Sequence, residues 1–574
     1  MSEAISLTQP PPASRRAGID LRAGTVLPWL LALITVLFLV SFLAYPVLLS
    51  VTKGFVPKGA PLSISNLTFD NFARFATSKM YRVALWNTVW ISVVSTVLAS
   101  LLAIPAAYAV ARIDIGLRSV IMALSIVPLI SPPFIGAYSW VVLFGRSGIA
   151  THYMFEWFGI TLPPIYGPFG IVLGMTLANF PYVFLFTQGA LAANDPAMEE
   201  AARMMGASRL RVFFTVTLPM VTPSVLAGAL LVLIECLGEF GIPAVLGGET
   251  YVLSTLMYFQ INGYFNLNAA GAISLVNVLI ALAAIALLLR LTRGHRFVGI
   301  SGRTRSAIRS RHPLARVLGA LWVWSVLAFA MLPQMIVVLL SFVETWPGTL
   351  WPLTYGLSNY SVAMQHLKQP VLNSLLLAGI ATLVCILFGT ATGYAAERRQ
   401  LPAKWALDLT IALPFILPGI MTGVALLTVY NSGPVVLSGT AFILIIAYIV
   451  RRLTYSYRAA VAAVSRVDPA LEEASAICGA TQGATLRRIT LPLVAPGLLA
   501  AGIIVFSTLI TEMSSTVILY SAHWKTISIA IYERLEAHEI NSAAAISTIA
   551  LALALLLVFT ASKIVGRSMA DLFR

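Results

Sequence analysis

About twelve apolar stretches, each long enough to cross a bilayer as a helix, divide this chain from one end to the other. They fall near 26–51, 84–110, 118–145, 168–192, 220–246 and 269–291, then near 314–342, 371–396, 405–430, 436–457, 492–520 and 541–565. Roughly 20 apolar residues in a helix span the hydrocarbon of a membrane. There every backbone amide must find its partner within the protein, and a helix achieves this inside one segment. The expected fold class is all-α integral membrane. Composition leaves the apolar surface no other home, since 59% of residues are hydrophobic and 10% charged. A soluble domain carries about 45–50% and about 25% respectively. A water-soluble fold of 574 residues cannot hide that excess.

The net charge of +15 follows the spans. With the amino terminus placed inside and the loops alternating, inside segments hold 28 of the 37 Lys and Arg residues and outside segments hold 9. The richest inside block runs from Arg290 to Arg316. Cations gather on the cytoplasmic side of membrane proteins, so the charge reports orientation and gives no support to nucleic-acid binding. Both termini are expected to be cytoplasmic. Residues 1–25 read as a polar tail ahead of an uncleaved first span. Cys236, Cys385 and Cys478 show no CxxC spacing and read as small buried hydrophobes. The six histidines show no i, i+4 His pair, and no metal site is expected.

The two sets of six spans are related. Residues 195–223, DPAMEEAARMMGASRLRVFFTVTLPMVTP, align without gaps on residues 468–496, DPALEEASAICGATQGATLRRITLPLVAP, and 13 of the 29 positions are identical. The offset is 273. At an offset of 286, Asn87 matches Asn373, Thr96 matches Thr382, Tyr108–Ala109 matches Tyr394–Ala395, and Arg112 matches Arg398. Pro128 and Pro132 match Pro414 and Pro418. Duplication in one orientation requires an even number of spans per half, which six satisfies. The expected organisation is a first unit at 26–293, a basic cytoplasmic linker at 294–313 and a second unit at 314–574.

The 29-residue repeat is polar and lies inside. Asp195 can cap a helix beginning at Pro196, where a missing N–H costs nothing. Glu199 and Glu200 then sit near the positive helix end. Ala197, Ala201, Met204 and Met205 share one helix face, as do Ala470, Ala474, Ile477 and Cys478. Gly206 and Gly479 end that helix in a left-handed turn. Ser208 and Thr481 can cap a second short helix, and Leu218–Pro219 and Leu491–Pro492 lead into the next span. The spacing predicts helix, sharp turn, helix, with small residues exposed for contact. A plain interhelical hairpin has the same local signals.

The spacing of Glu200, Ala201, Ala202, Gly206, Ala207, Leu218 and Pro219 resembles the signature loop of binding-protein-dependent ABC permeases. Glu473, Ala474, Ser475, Gly479, Ala480, Leu491 and Pro492 form the second copy, with Ser475 for the second alanine. Glu199 and Glu472 precede the two copies. In that family the loop forms the coupling helix that seats in a cytoplasmic ATPase. The resemblance implies two homologous six-helix permease halves, two ATPase copies, and a periplasmic binding protein that delivers substrate. It also implies a place in the bacterial inner membrane. No GxxxxGK[ST] loop occurs in the chain, so the permease is not an enzyme. It has no cofactor of its own, and ATP and Mg belong to the partner subunits. The twelve-span pattern resembles the fused permeases of the ferric iron importer family. GEFGIPAVLGG at Gly238–Gly248 is similar to that family's fifth-span stretch. At Thr511–Leu519, Met513 and Ser514 replace the usual Leu-Pro, so a different local break is expected there. Phosphonate, thiamine, phosphosugar and polyamine permeases share similar loops. A proton-driven secondary transporter also fits twelve spans in two halves, though it gives no reason for duplicated loops.

Glu239 and Glu512 occupy equivalent positions within the fifth and eleventh spans. A carboxylate at that depth costs roughly 2.5–3.5 kcal/mol on insertion scales and needs a partner or water. One reading places both on the translocation path, with Glu235 one turn earlier. The other has each accepting hydrogen bonds from backbone N–H groups freed by a bend. The two are compatible.

Overall fold

The computed structural model describes residues 23–194, 196–292, 312–346, 350–398 and 404–565. Asp195, the tail up to residue 22 and nearly all of the basic linker lie outside the described residues. The helices that build the bundle are α1 (Ala23–Leu39), α2 (Tyr45–Lys53), α3 (Lys79–Arg112), α4 (Arg118–Ile130), α5 (Pro133–Phe144) and α6 (Pro168–Ala193). They continue with α7 (Ala197–Met204), α8 (Arg209–Val212), α9 (Leu218–Gly238) and α10 (Leu267–Thr292). The second half contains α11 (Pro313–Ser341), α12 (Ser358–Arg398), α13 (Lys404–Ile416), α14 (Gly419–Tyr430) and α15 (Ala441–Ser465). It ends with α16 (Pro469–Ile477), α17 (Gln482–Thr485), α18 (Leu491–Ile510) and α19 (Ile540–Val565).

Among the described residues, 9 helices are long and apolar enough to cross a membrane. The expected third and ninth spans are not continuous. α4 and α5 meet at 98°, and α13 and α14 at 97°, so each pair is a broken span or a re-entrant loop. The cause is repeated in the sequence. Pro132 and Pro418 lack the N–H that would continue the helix, and each stands immediately before the first residue of the next one. α15 is 25 residues long but carries Arg451, Arg452 and Arg458, which lower its hydropathy. Counting it and the bent pairs gives six elements per half.

Each half is built on three packed helices, α3/α6/α9 in the first and α12/α15/α18 in the second. Small residues set the approach of α12 to α15. A Cβ on Gly389 would lie 2.7 Å from Ser456 Cβ, and one on Gly393 would lie 2.8 Å from Ala460 Cβ. Close backbone contact of this kind replaces the hydrophobic drive that lipid removes. The equivalent positions in α3, Ala103 and Ala107, are fully buried.

The first helix of each half packs on the other half. α1 lies along α12, where Thr35 Oγ1 and Thr392 Oγ1 are 2.8 Å apart in the interior, and α2 packs on α14. Reciprocally, α11 packs on α3, α4 and α5, with Ser139 Oγ donating to Pro333 O at 2.8 Å. The halves are thereby strapped together twice. Cys236 and Cys385 are buried as expected, whereas Cys478 is exposed at the end of α16. The helix ends there in a turn and has no covering element among the described residues.

Candidate functional site

The two repeated elbows fold alike, bond for bond. In the first, Met205 N donates to Ala201 O at 3.1 Å, Gly206 N to Arg203 O at 2.9 Å and Ala207 N to Ala202 O at 3.1 Å. In the second, Cys478 N donates to Ala474 O at 3.0 Å, Gly479 N to Ala476 O at 3.0 Å and Ala480 N to Ser475 O at 3.1 Å. This closes the last helical turn with a left-handed residue, Gly206 at φ +86° and Gly479 at φ +82°. Nothing stands within 4 Å of a Cβ at either glycine, so the backbone conformation alone selects the residue. Ser208 Oγ then accepts from Arg211 N, and Thr481 Oγ1 from Ala484 N, starting α8 and α17. Asp468 caps α16 through Ala470 N at 2.9 Å. The cap expected from Asp195 lies outside the described residues, and α7 is observed from Ala197, with Pro196 as its N-cap rather than its first residue. Pro219 and Pro492 fall in the first turn of α9 and α18.

Each elbow is tied to the end of a span by its first glutamate. Glu199 accepts from Arg112 Nη2 at 3.0 Å and from Arg203 Nη2 at 3.2 Å, with its side chain 4% exposed. Glu472 pairs with Arg398 Nε at 3.4 Å and accepts from Thr490 Oγ1 at 2.7 Å, while Arg398 Nη2 donates to Val467 O at 2.6 Å. Sequence reasoning matched Arg112 to Arg398 but gave neither a role; a cation repeated at the inner end of a span was the available signal. Glu200 and Glu473 make no ion pair with any described residue. On the opposite side of α7, Ala197, Ala201, Met204 and Met205 are all exposed, as are Ala470, Ala474, Ile477 and Cys478 on α16. Met205 is 89% and Ile477 87% exposed. Two apolar helix faces thus stand bare at one end of the bundle, an arrangement that marks a contact surface.

The intramembrane carboxylates hold breaks. Glu239 Oε1 accepts from Gly241 N at 2.8 Å and Ile242 N at 3.2 Å, capping the short helix Gly241–Leu246. Glu512 accepts from Ser515 N at 3.0 Å, Thr516 N at 3.2 Å and Thr516 Oγ1 at 2.5 Å, capping Thr516–Leu519. The break therefore persists in the second half despite Met513 and Ser514, because the Glu512 carboxylate accepts the freed amides without a proline there to remove one. Both glutamates also line a cavity of about 100 Å³ between the halves, bounded by Pro128 and Ser131 on one side and Thr508 and Ser514 on the other. Glu235 opens on the same space.

Two arginines left without a role by sequence reasoning also line that cavity. Arg451 and Arg452 fall inside the expected span 436–457, were tallied only among the inside cations, and lie in the middle of α15, where they line the cavity. Arg451 forms an ion pair with Glu512, which is 4% exposed. Arg452 stacks its guanidinium over the Tyr455 ring at 5.3 Å. At the 273 offset these positions are Ala178 and Asn179 in the first half, and Thr508 corresponds to Glu235. The cavity is thus lined by related positions of unequal charge.

Residues 95–294 and 386–571 match the family model described as binding-protein-dependent transport system inner membrane component. The chain belongs to that family. Ferric transport system permease protein FbpB of Actinobacillus pleuropneumoniae is 30% identical over 453 residues, which is 77% of this chain and 65% of that protein. A putative ferric transport system permease protein FbpB 1 of Haemophilus influenzae is 30% identical over 503 residues, 85% of this chain and 77% of its own length. Molybdenum transport system permease protein ModB of Escherichia coli is 33% identical over 214 residues, 36% of this chain but 91% of that relative. About a third of this permease thus corresponds to nearly the whole of that relative. The all-α membrane fold expected from the sequence is that of the family, and the double match shows the expected duplication in this chain.

Proposed function

We propose that this permease is the membrane-spanning subunit of an ATP-driven importer, with each elbow docking one copy of a cytoplasmic ABC ATPase. The observation that carries the reading is the pair of bare apolar faces on α7 and α16, each braced to a span through Arg112–Glu199 or Arg398–Glu472. A push on such an elbow reaches the bundle without first deforming a loose loop. Closure of the two ATPases on ATP would move both elbows together and rock the halves outward. Hydrolysis would return them, giving alternating access around the cavity at Glu239 and Glu512. Nucleotide can drive this only through its differential affinity for the two states. The positive-inside count supports an inner-membrane protein with elbows and termini cytoplasmic.

Ferric iron, delivered by a periplasmic binding protein, is the proposed substrate, on the strength of the ferric relatives. Arg452, which makes no ion pair with a described residue, favours one second reading, an oxyanion as cargo. Reconstitution with the ATPase and binding protein tests both readings. Uptake of labelled ferric iron that requires ATP and both elbows is expected. Uptake driven by a proton gradient alone overturns the importer, and oxyanion uptake without iron uptake overturns the cargo.

A further inference from the structure

A cavity of about 650 Å³ lies between the first elbow and α11, the helix that arrives from the other half. Three candidate spans end at its level, namely Lys79–Arg112, Arg209–Gly238 and Pro313–Ser341. The cavity therefore sits where hydrocarbon gives way to water. One side of it is apolar. Ala315, Leu318, Gly319 and Trp322 follow at i, i+3, i+4 and i+7 on one face of α11, opposite Pro105 of α3. Leu318 and Trp322 are part of an exposed stripe that continues through Leu314 and Leu321.

The other side is charged, and its charges are not all spent. Arg112, Glu199 and Arg203 satisfy one another in the brace. Arg209 and Glu200 also line the cavity, and neither makes an ion pair with a described residue. What remains is one guanidinium and one carboxylate beside an apolar wall.

We propose that this cavity binds one phospholipid whose headgroup carries a primary ammonium. Its phosphate would meet Arg209, its ammonium Glu200, and an acyl chain would lie along Leu318 and Trp322. An anionic headgroup leaves Glu200 facing like charge, and a soluble phosphate leaves the Trp322 wall in water, so the zwitterionic lipid complements the cavity best. The site belongs to one elbow alone. At the 273 offset Arg203 is Ala476, Arg209 is Gln482 and Phe213 is Leu486. The bound lipid would tie the first elbow to α11 of the opposite half, which the second elbow cannot do in the same way.

The test places the full chain in phosphatidylcholine nanodiscs and titrates in phosphatidylethanolamine. Amide exchange is followed over residues 197–217 and 313–325. Slower exchange in both segments is expected, with no change over 470–490, and the slowing should be lost in Arg209→Gln and Glu200→Gln. Arg209→Gln installs the residue that the second elbow already carries. Native mass spectrometry of the same variants should show one fewer retained phosphatidylethanolamine. Four results overturn the proposal: no slowing, equal slowing with phosphatidylglycerol, equal slowing at both elbows, or slowing reproduced by free phosphoethanolamine. The readout needs neither ATPase nor cargo, so failure of the importer reading leaves it standing.

Discussion

Arg112 and Glu199 stand 87 positions apart in the chain and meet at 3.0 Å with both side chains almost fully enclosed. One is the last residue of a span and the other lies in the first turn of an elbow helix, so their ion pair joins the membrane bundle to the element that projects from it. Arg398 and Glu472 repeat the relationship more loosely, at 3.4 Å and with more exposure.

Breaking the tighter pair should cost more. Removing one partner of a buried ion pair leaves an uncompensated charge, worth about 3–5 kcal/mol. Glu199→Gln, which strands the buried Arg112, is therefore expected to lower thermal stability in detergent and to uncouple ATPase stimulation, and Glu472→Gln to do so to a smaller degree. Arg112→Met with Glu199→Gln should recover part of the loss. A double-mutant cycle with larger coupling at Arg398–Glu472 than at Arg112–Glu199 contradicts this ranking.

Gly206 and Gly479 test the elbows by shape alone. A non-glycine residue in the left-handed region costs roughly 1–2 kcal/mol, and neither site has a neighbour for a new Cβ to strike. Gly206→Val and Gly479→Val should leave span packing and thermal unfolding almost intact while weakening co-purification with the ATPase. Asn at either position should be milder, since it tolerates that conformation better. Wild-type ATPase retention in the double Val variant removes the docking role.

The fold class and the duplication were legible because lipid forces long apolar helices and because the two elbows kept 13 of 29 residues. The right-angle breaks were not. Pro128, Pro132 and Pro133 sit in an apolar run of ordinary span length, and hydropathy does not register a missing N–H. The crossing of α1 and α11 to opposite halves leaves no local mark, since any apolar helix can face any other until side-chain shape decides. Arg451 and Arg452 fall within the expected span 436–457, but hydropathy alone gave them no role there. The acid that pairs with Arg451, Glu512, lies 61 residues on, too far for a local pattern to reveal. The elbow geometry was legible to the residue at Gly206 and Gly479, where only backbone conformation was at stake.

Glu512 should prove less replaceable than Glu239. Gln at 239 keeps an oxygen for Gly241 N and Ile242 N and strands no ion-paired arginine. Gln at 512 keeps the cap but deprives Arg451 of its counter-charge. Expression and thermal stability are expected to fall in Glu512→Gln and to change little in Glu239→Gln, with Arg451→Met restoring the former. Equal stability of the two single variants counts against the pairing as the controlling interaction.

The α12–α15 contact should resist added volume. A methyl at Gly393 meets Ala460 Cβ at 2.8 Å and one at Gly389 meets Ser456 Cβ at 2.7 Å, and overpacking of this kind costs about 1–3 kcal/mol. Gly389→Ala and Gly393→Ala should each lower the unfolding temperature, and the pair more than either. Gly483→Ala, where nothing lies within 4 Å of the new Cβ, serves as the control. A drop no larger than the control's means the helices can part without loss.

Cys478 offers a direct reading of both orientation and docking. Of the three cysteines, Cys236 and Cys385 are buried and Cys478 is exposed at the end of α16, beside Ile477. A thiol reacts only where it can be reached, so a membrane-impermeant maleimide should modify a single site, and Cys478→Ser should abolish labelling. Labelling is expected in inverted vesicles and not in right-side-out ones, because the elbow faces the basic side of the membrane. Adding the ATPase should slow the reaction, since its groove would cover the face that Cys478 shares with Ala474 and Ile477. Labelling from the opposite side would place the elbows beyond reach of any cytoplasmic motor, and unslowed labelling in an assembled complex would mean that the ATPase grips the permease elsewhere.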